Sequence, residues 1–155
     1  MLSNTDIERI ANDELELPII GVFSKDLLPK ERYEGSYYIN MQNSEDGGGS
    51  HWVLAKILKD NDGDHKAIYF DSFGVGMPKE VEAFLSPFKP IPYNNRQIQD
   101  LPTTQCGYYC LYCDYYLNNL RRFEDISDDY ENFLRLWSGN TKNNLTLLKN
   151  LMKPL

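Results

Sequence analysis

The stretch HWVLAKILKDNDGDHKAIYFDSFG, residues 51–74, decides the fold of this chain. Two segments, 51–58 and 67–73, are rich in residues that favour strands and flank the polar turn Asn61-Asp62-Gly63-Asp64. An Asp-Gly turn between two such segments is typical of a β-hairpin. Folding about residue 62 places Asp71 within a residue or two of the level of His51. The segment therefore predicts a hairpin whose open end carries an imidazole and a carboxylate.

Outward from the hairpin, the pattern predicts further strands over 18–23, 36–41 and 91–94. The glycine-rich segment 47–50 is predicted to be a flexible loop that leads into His51. Helices are predicted where apolar residues recur at helical spacing. Four predicted helices begin at the capping box Thr5-x-x-Glu8, at Pro78, at Gly107 and at Ser127, and the one that begins at Ser127 ends near Gly139. The last predicted helix ends at Pro154. These elements give an α+β class.

Composition limits the classes of function. The chain has 155 residues, 41% hydrophobic and 25% charged, which predicts one soluble globular domain over 1–155. No apolar run approaches the ~20 residues that cross a bilayer. The net charge of −7 argues against strong nucleic-acid binding, because phosphate contacts need clustered cations. Three cysteines within eight residues do not resemble a disulfide framework, which favours a reducing, intracellular setting.

Cys106 is the candidate nucleophile. It lies where a loop becomes the predicted helix 107–123, so the positive end of the helix favours its thiolate. Cys110 and Cys113 fall inside that helix, on the face predicted to be buried together with Leu117 and Leu120. Gly107 allows close approach of another backbone, and neighbouring amides can bind an oxyanion. Position alone therefore separates one reactive cysteine from two core cysteines.

The base must be one of two histidines. His65 lies in a polar turn and is predicted to be a surface residue. His51 begins a strand after a glycine loop, and Asp71 is placed to orient it, which gives the spacing of a Cys-His-Asp arrangement. Each residue also has a structural interpretation, with His51 as a buried imidazole and Asp71 as a turn former. Their joint occurrence with Cys106 favours the catalytic interpretation.

These motifs resemble a known family. GGSHWVLAKI, IYFDSFG, and Gln99 followed seven residues later by Cys106-Gly107 resemble the adenovirus maturation protease, which belongs with the proteases of SUMO and other ubiquitin-like proteins. Similar sequences are carried by virophages and related transposon-like viruses. The resemblance spans about 47–116. It implies the ubiquitin-like-protease (papain-like cysteine protease) fold, with a central mixed β-sheet flanked by helices and the nucleophile at the N-terminus of a core helix.

The resemblance also implies a role for each matching residue. Cys106 matches the nucleophile, His51 the general base, Asp71 the acid that orients it, and Gln99 the side chain that completes an oxyanion hole. Gln97 lies two residues earlier, and the seven-residue spacing favours Gln99. Trp52 matches an aromatic residue that lies beside the catalytic histidine and borders the substrate groove. Trp52 and Gly107 are therefore the predicted substrate-binding residues.

The family cleaves after Gly-Gly or Gly-X-Gly sequences, which predicts capsid or other viral structural precursors as partners, in the virion and the virus factory of the host cytoplasm. The adenovirus enzyme is activated by a disulfide-linked peptide and by DNA. Every cysteine here lies within 106–113 and the chain is acidic, so neither activator is carried over, and no cofactor, metal or membrane partner is expected.

Other classes of function also fit parts of the sequence. A deconjugating protease for SUMO or ubiquitin-like modifiers would use the same site and a Gly-Gly substrate. The spacing C-x3-C-x2-C of Cys106, Cys110 and Cys113 matches a [4Fe–4S] or zinc site, but such a site leaves His51 and Asp71 unused. An inactive binding module of the same fold would not need all four catalytic residue types.

Overall fold

The computed structural model of the chain describes residues 1–46, 51–100, 104–120 and 125–153. Four strands and five α-helices make up most of the described chain. The strands are β1 (Ile19–Ser24), β2 (Gly35–Asn40), β3 (Trp52–Lys59) and β4 (His65–Phe70). The helices are α1 (Asn4–Arg9), α2 (Lys79–Leu85), α3 (Cys106–Asn118), α4 (Ile126–Leu134) and α5 (Thr141–Met152). A π-helical turn, Ile10–Glu14, extends α1.

The strands form one mixed sheet in the order β1-β2-β3-β4. β1 pairs with β2 in parallel, and the other two pairs are antiparallel. The hairpin predicted from the sequence is present as β3–β4, with Leu54 opposite Phe70 and Lys59 opposite His65. Continuing this register to the open end brings Asp71 opposite Val53, two residues from His51, as predicted.

Helices cover both faces of the sheet. Alternate residues of β3 point to opposite sides, because side chains of a strand have a period of two. Leu54 and Leu58 pack with α1, α3, α4 and α5, whereas Val53 and Ala55 pack with α2. Seven of the eight residues of β3 are buried, as is usual for a strand covered on both faces. The predicted α+β class, with a mixed sheet flanked by helices, is confirmed.

A buried ion pair ties α3 to the sheet. Lys56 Nζ of β3 lies 2.6 Å from Asp114 Oδ1 of α3, and both side chains are buried. Ser36 Oγ also donates to Asp114 Oδ1, and Tyr38 OH donates to Oδ2 at 2.6 Å. Two hydroxyls and one ammonium thus satisfy the carboxylate, which is the condition for tolerating a charge in the core.

Several predicted boundaries were wrong for local reasons. α1 is capped by Ser3, with Asp6 completing the capping box, rather than by Thr5 and Glu8. Asp125, not Ser127, caps α4. Capping residues recur at short intervals here, so the pattern alone gave several equivalent starts. The predicted strand 91–94 is reduced to a bridge between Tyr69 and Tyr93.

Pro78 is the N-cap of α2, so the helix begins at Lys79, one residue later than predicted. The helix predicted over 107–123 ends earlier than predicted, because α3 stops at Asn118 with Asn119 as its C-cap. The loop 47–50 and Pro154 lie outside the described residues. In the ranges that the structure describes, none of the helices has the length and apolar character to span a membrane.

Replacing Lys56 with methionine is expected to lower the free energy of unfolding by about 3–5 kcal/mol, because Asp114 then keeps a buried charge without its cation. Urea denaturation followed by circular dichroism measures the change. Lys59→Met, at the exposed end of the same strand, is the matched control and should change stability by about 0.5 kcal/mol or less. Equal midpoints for the two variants would contradict a structural role for the ion pair.

Candidate active site

The open end of the β3–β4 hairpin joins His51 to Asp71. His51 Nε2 lies 2.6 Å from Asp71 Oδ1, the short distance of a charge-assisted hydrogen bond. The Asp71 side chain is buried, and only 12% of the His51 side chain is exposed. The juxtaposition predicted from the hairpin is therefore confirmed, and it leaves the other ring nitrogen, Nδ1, available for chemistry.

A tight turn after β4 fixes the carboxylate and the ring. The backbone N–H of Phe73 donates to Asp71 Oδ1 at 2.9 Å, and the Phe73 ring stacks on His51 with centroids 4.4 Å apart. Gly74 closes the turn with a φ of 74°, and a Cβ there would lie 2.6 Å from the backbone of Arg96. The glycine that ends the DSFG motif is thus required both by its backbone conformation and by the lack of space.

Cys106 is the first residue of α3 and is buried. The backbone N–H of Trp52 points at its sulfur, with a distance of 3.4 Å between N and Sγ. This N–H and the amides of the first helical turn both stabilise negative charge on the sulfur. The candidate nucleophile therefore lies at the predicted helix terminus, next to the residue that follows His51.

The imidazole faces both partners. Burial by itself lowers the pKa of His51, but hydrogen bonding and negative charge from Asp71 and Cys106 outweigh burial and raise it to about 9. His51 Nδ1 is buried and makes no hydrogen bond of ordinary geometry within the described ranges. A protonated imidazole beside a cysteine sulfur is the resting arrangement that suits a thiolate nucleophile.

Gln99 is fully buried and is held by Ser72. Ser72 Oγ donates to Gln99 Oε1 at 2.6 Å, and the backbone N–H groups of Ile98 and Gln99 both donate to Ser72 O. Because the amide oxygen accepts from Ser72, the donor end of the carboxamide is the end that can serve an oxyanion. Gln97 has a different role, since its Nε2 donates to Gln99 O at 2.9 Å.

Two supporting residues escaped the sequence analysis. Asn94 Oδ1 accepts from the backbone N–H of Asp71 at 3.0 Å, and Asn94 Nδ2 donates to Asp71 O. Tyr130 of α4 donates to Tyr69 O at 2.6 Å, at the end of β4. Neither residue belongs to a local motif, since each lies more than 20 residues from its partner. Ser72 of the motif IYFDSFG also supports the site, because it donates to Gln99.

The other two cysteines are buried and have no disulfide partner. Burial raises the pKa of both Cys110 and Cys113 well above the ordinary value, so they remain neutral thiols. Cys110 Sγ donates to Trp52 O at 3.4 Å. No group of three histidine, cysteine or acidic side chains is arranged to hold a metal ion in the part of the chain that the structure describes. The cluster spacing C-x3-C-x2-C is thus explained by helix packing.

The predicted substrate-binding residues Trp52 and Gly107 are both covered by the N-terminal segment. Trp52 is fully buried, and its indole Nε1 donates to Leu2 O at 2.9 Å. The Leu2 side chain fills the space in front of Gly107, where a Cβ would lie 2.9 Å from Leu2 Cδ1. In this structure the two residues pack against Leu2 and not along an open groove, because the indole finds its hydrogen-bond acceptor in the N-terminal segment. Contact with substrate would require Leu2 to move.

Comparison with models of protein families gives no match, and comparison with curated proteins gives no match either. Among solved structures, the chain is similar to the ASFV pS273R protease, determined as its selenomethionine form, with a TM-score of 0.43 and 22% sequence identity. The similarity covers 66% of this chain and 44% of that chain. The chain therefore spans less than half the length of that protease.

The raised pKa of His51 predicts how stability changes with pH. Folding strengthens proton binding, so the stabilisation is fully present below the unfolded pKa of 6.5 and is lost as the pH rises through about 9. Between these values the free energy of unfolding should fall by on the order of 3 kcal/mol in the wild type. The decrease should be smaller in Asp71→Asn, which lacks the carboxylate charge. Urea denaturation at pH 6 and pH 9.5 measures both, and equal decreases would contradict the assignment.

Proposed function

We propose that this chain is a cysteine endopeptidase that cleaves after glycine in viral structural precursors. The observation that carries the proposal is the convergence of three groups. His51 Nε2 lies 2.6 Å from Asp71 Oδ1, the imidazole also interacts with Cys106, and Cys106 is the first residue of a helix. Nucleophile, base and orienting acid in this order are the elements of a thiol protease site.

The first chemical step follows from the charge state. At neutral pH the His51 imidazole is protonated, since its pKa is raised to about 9 by Asp71 and Cys106 against the effect of burial. The Cys106 thiolate attacks the carbonyl carbon of the glycine residue, and the carbonyl π electrons move to oxygen. A C–S bond forms, and a tetrahedral oxyanion results.

The oxyanion needs donors that are already in place. We assign this role to the Gln99 carboxamide and to backbone N–H groups near Cys106. The contact from Ser72 to Gln99 Oε1 supports the assignment, because it fixes which end of the carboxamide can donate. Preorganised donors of this kind contribute more than groups that must reorient, since the reaction pays no reorganisation cost at the transition state.

Collapse of the intermediate requires an acid. His51 Nδ1–H donates its proton to the leaving amine nitrogen, and the C–N bond breaks to give a thioester on Cys106. Water then attacks the thioester while His51 accepts a proton from it, and cleavage of the C–S bond restores the thiolate and releases a carboxylic acid. Asp71 keeps the imidazole oriented through both steps.

The substrate class is proposed from the motif resemblance to the adenovirus maturation protease. That resemblance favours Gly-Gly or Gly-X-Gly sites in capsid precursors, with action in the virus factory and the virion. Deconjugation of SUMO or ubiquitin-like modifiers is the second candidate, since it uses the same site and also cleaves after Gly-Gly. The two are distinguished by comparing the cleavage of a peptide from a capsid precursor with the cleavage of a fusion to a ubiquitin-like modifier.

Cys106→Ala is expected to abolish cleavage of fluorogenic peptides that present Gly-X-Gly or Gly-Gly before the fluorophore, because the nucleophile is removed. Cys110→Ala is the matched control, a neutral buried thiol in the same helix, and it should retain cleavage. Equal activity of wild type and both variants would show that Cys106 is not the nucleophile.

Gln99→Ala is expected to lower kcat by about 10²–10³-fold with little change in KM, because an oxyanion donor acts in the transition state. Steady-state kinetics on the same peptides gives both constants. Gln97→Ala removes an amide of the same size two residues away and should cost far less. A larger loss in Gln97→Ala would move the oxyanion role to that residue.

A further inference from the structure

A groove of about 660 Å³ lies between α1 with its π-helical turn, the first turn of α3, and α5. Its volume falls in the range of about 300–1,000 Å³ typical of ligand sites. Its floor is apolar and comes from all three of these elements. The floor residues are Ile10, Leu15, Tyr108, Leu145, Leu148 and Met152. The proposed peptidase mechanism uses none of these side chains.

The groove adjoins the candidate nucleophile. Gln105 lines it, and Gln105 is the N-cap of α3, directly before Cys106. An extended polypeptide advances by about 3.3 Å per residue, so a substrate bound across Cys106 reaches the groove within a few residues of the scissile bond. The groove is therefore placed to contact residues that flank the cleavage site.

The rim of the groove carries positive charge in an acidic protein. Arg9 and Glu14 on one side pair with each other at 3.0 Å. Lys149 and Lys153 on the other side are exposed, and neither has an ion-pair partner among residues 1–46, 51–100, 104–120 and 125–153. The two lysines are four residues apart at the end of α5, so they lie on one face.

Their position also complements the negative end of the α5 dipole. That effect acts within the helix and does not depend on any ligand. An apolar floor beside two unpaired ammonium groups complements an occupant that has apolar side chains next to carboxylates. This chain is itself acidic, since acidic residues outnumber basic ones 23 to 16. The distinguishing property of the occupant is therefore that its carboxylates lie next to apolar side chains.

We propose that this groove is a substrate subsite that binds a polypeptide segment of adjacent apolar and acidic residues flanking the scissile bond. The proposal rests on the peptidase function proposed above and adds the substrate chemistry. Burial of the apolar side chains supplies most of the affinity, and the two ammonium groups select carboxylates over amides.

Binding to the Cys106→Ala protein tests the subsite without cleavage. The probes are fluorescein-labelled peptides with the segment Leu-Glu-Asp-Leu-Glu either before or after Gly-Gly, and counterparts with Gln and Asn in place of Glu and Asp. Fluorescence anisotropy should give at least one acidic peptide an affinity about tenfold above its neutral counterpart. The preference should weaken as salt rises, because the ammonium groups are exposed.

Lys149→Glu with Lys153→Glu should abolish the preference for the acidic peptide. Lys30→Glu with Lys142→Glu is the matched control, because it changes net charge equally at exposed lysines outside the groove, and it should keep the preference. If charge reversal perturbs α5, the variant Lys149→Gln with Lys153→Gln is used instead, and it should show a smaller loss of the preference for the acidic peptide. Equal affinity for acidic and neutral peptides, or equal loss in the control, would overturn the subsite.

Failure of the peptidase function has a different signature. Wild-type cleavage of short Gly-Gly peptides without any gain from the acidic segment would reject the subsite alone. Selective binding of the acidic peptide with no cleavage by the wild type would reject the peptidase function and leave the groove as a peptide-binding site.

Discussion

The packing of helix α3 along strand β3 is the constraint on which the candidate site depends. Two contacts fix it, one from Cys106 Sγ to the N–H of Trp52 and one from Asp114 to Lys56. Eight residues of helix span about 12 Å and four residues of strand about 13 Å, so the two anchors match in spacing. A shift of the helix along the strand would both break the buried ion pair and move the sulfur relative to His51.

The buried charge pairs His51–Asp71 and Lys56–Asp114 are built differently. Asp114 accepts from Lys56 and two hydroxyls, so each of its oxygens is satisfied within the core. His51 is satisfied on one nitrogen only, and its buried Nδ1 faces the cysteine without an ordinary hydrogen bond. A buried polar group left unsatisfied is rare and costs stability. Its presence beside an acid and a thiol distinguishes the candidate active site from the structural ion pair.

Local patterns predicted those parts of the site whose partners are close in sequence. The hairpin followed from two strand segments and an Asp-Gly turn, and its register brought Asp71 to His51. The helix caps were less well predicted, because Ser3 and Thr5 are equivalent candidates by pattern and only packing chose between them. The support from Asn94 and Tyr130 was invisible to local reasoning, since each joins residues from separate elements.

The sequence by itself determined the α+β class, the β3–β4 hairpin, and the separation of Cys106 from two core cysteines, because periodicity, turn chemistry and position in a helix are local properties. Only the tertiary structure decided that Leu2 covers Trp52 and Gly107, that Ser72 orients Gln99, and that a groove with exposed lysines adjoins the first turn of α3. These features arise where distant segments compete for the same buried space, and that competition is resolved only when the whole chain packs.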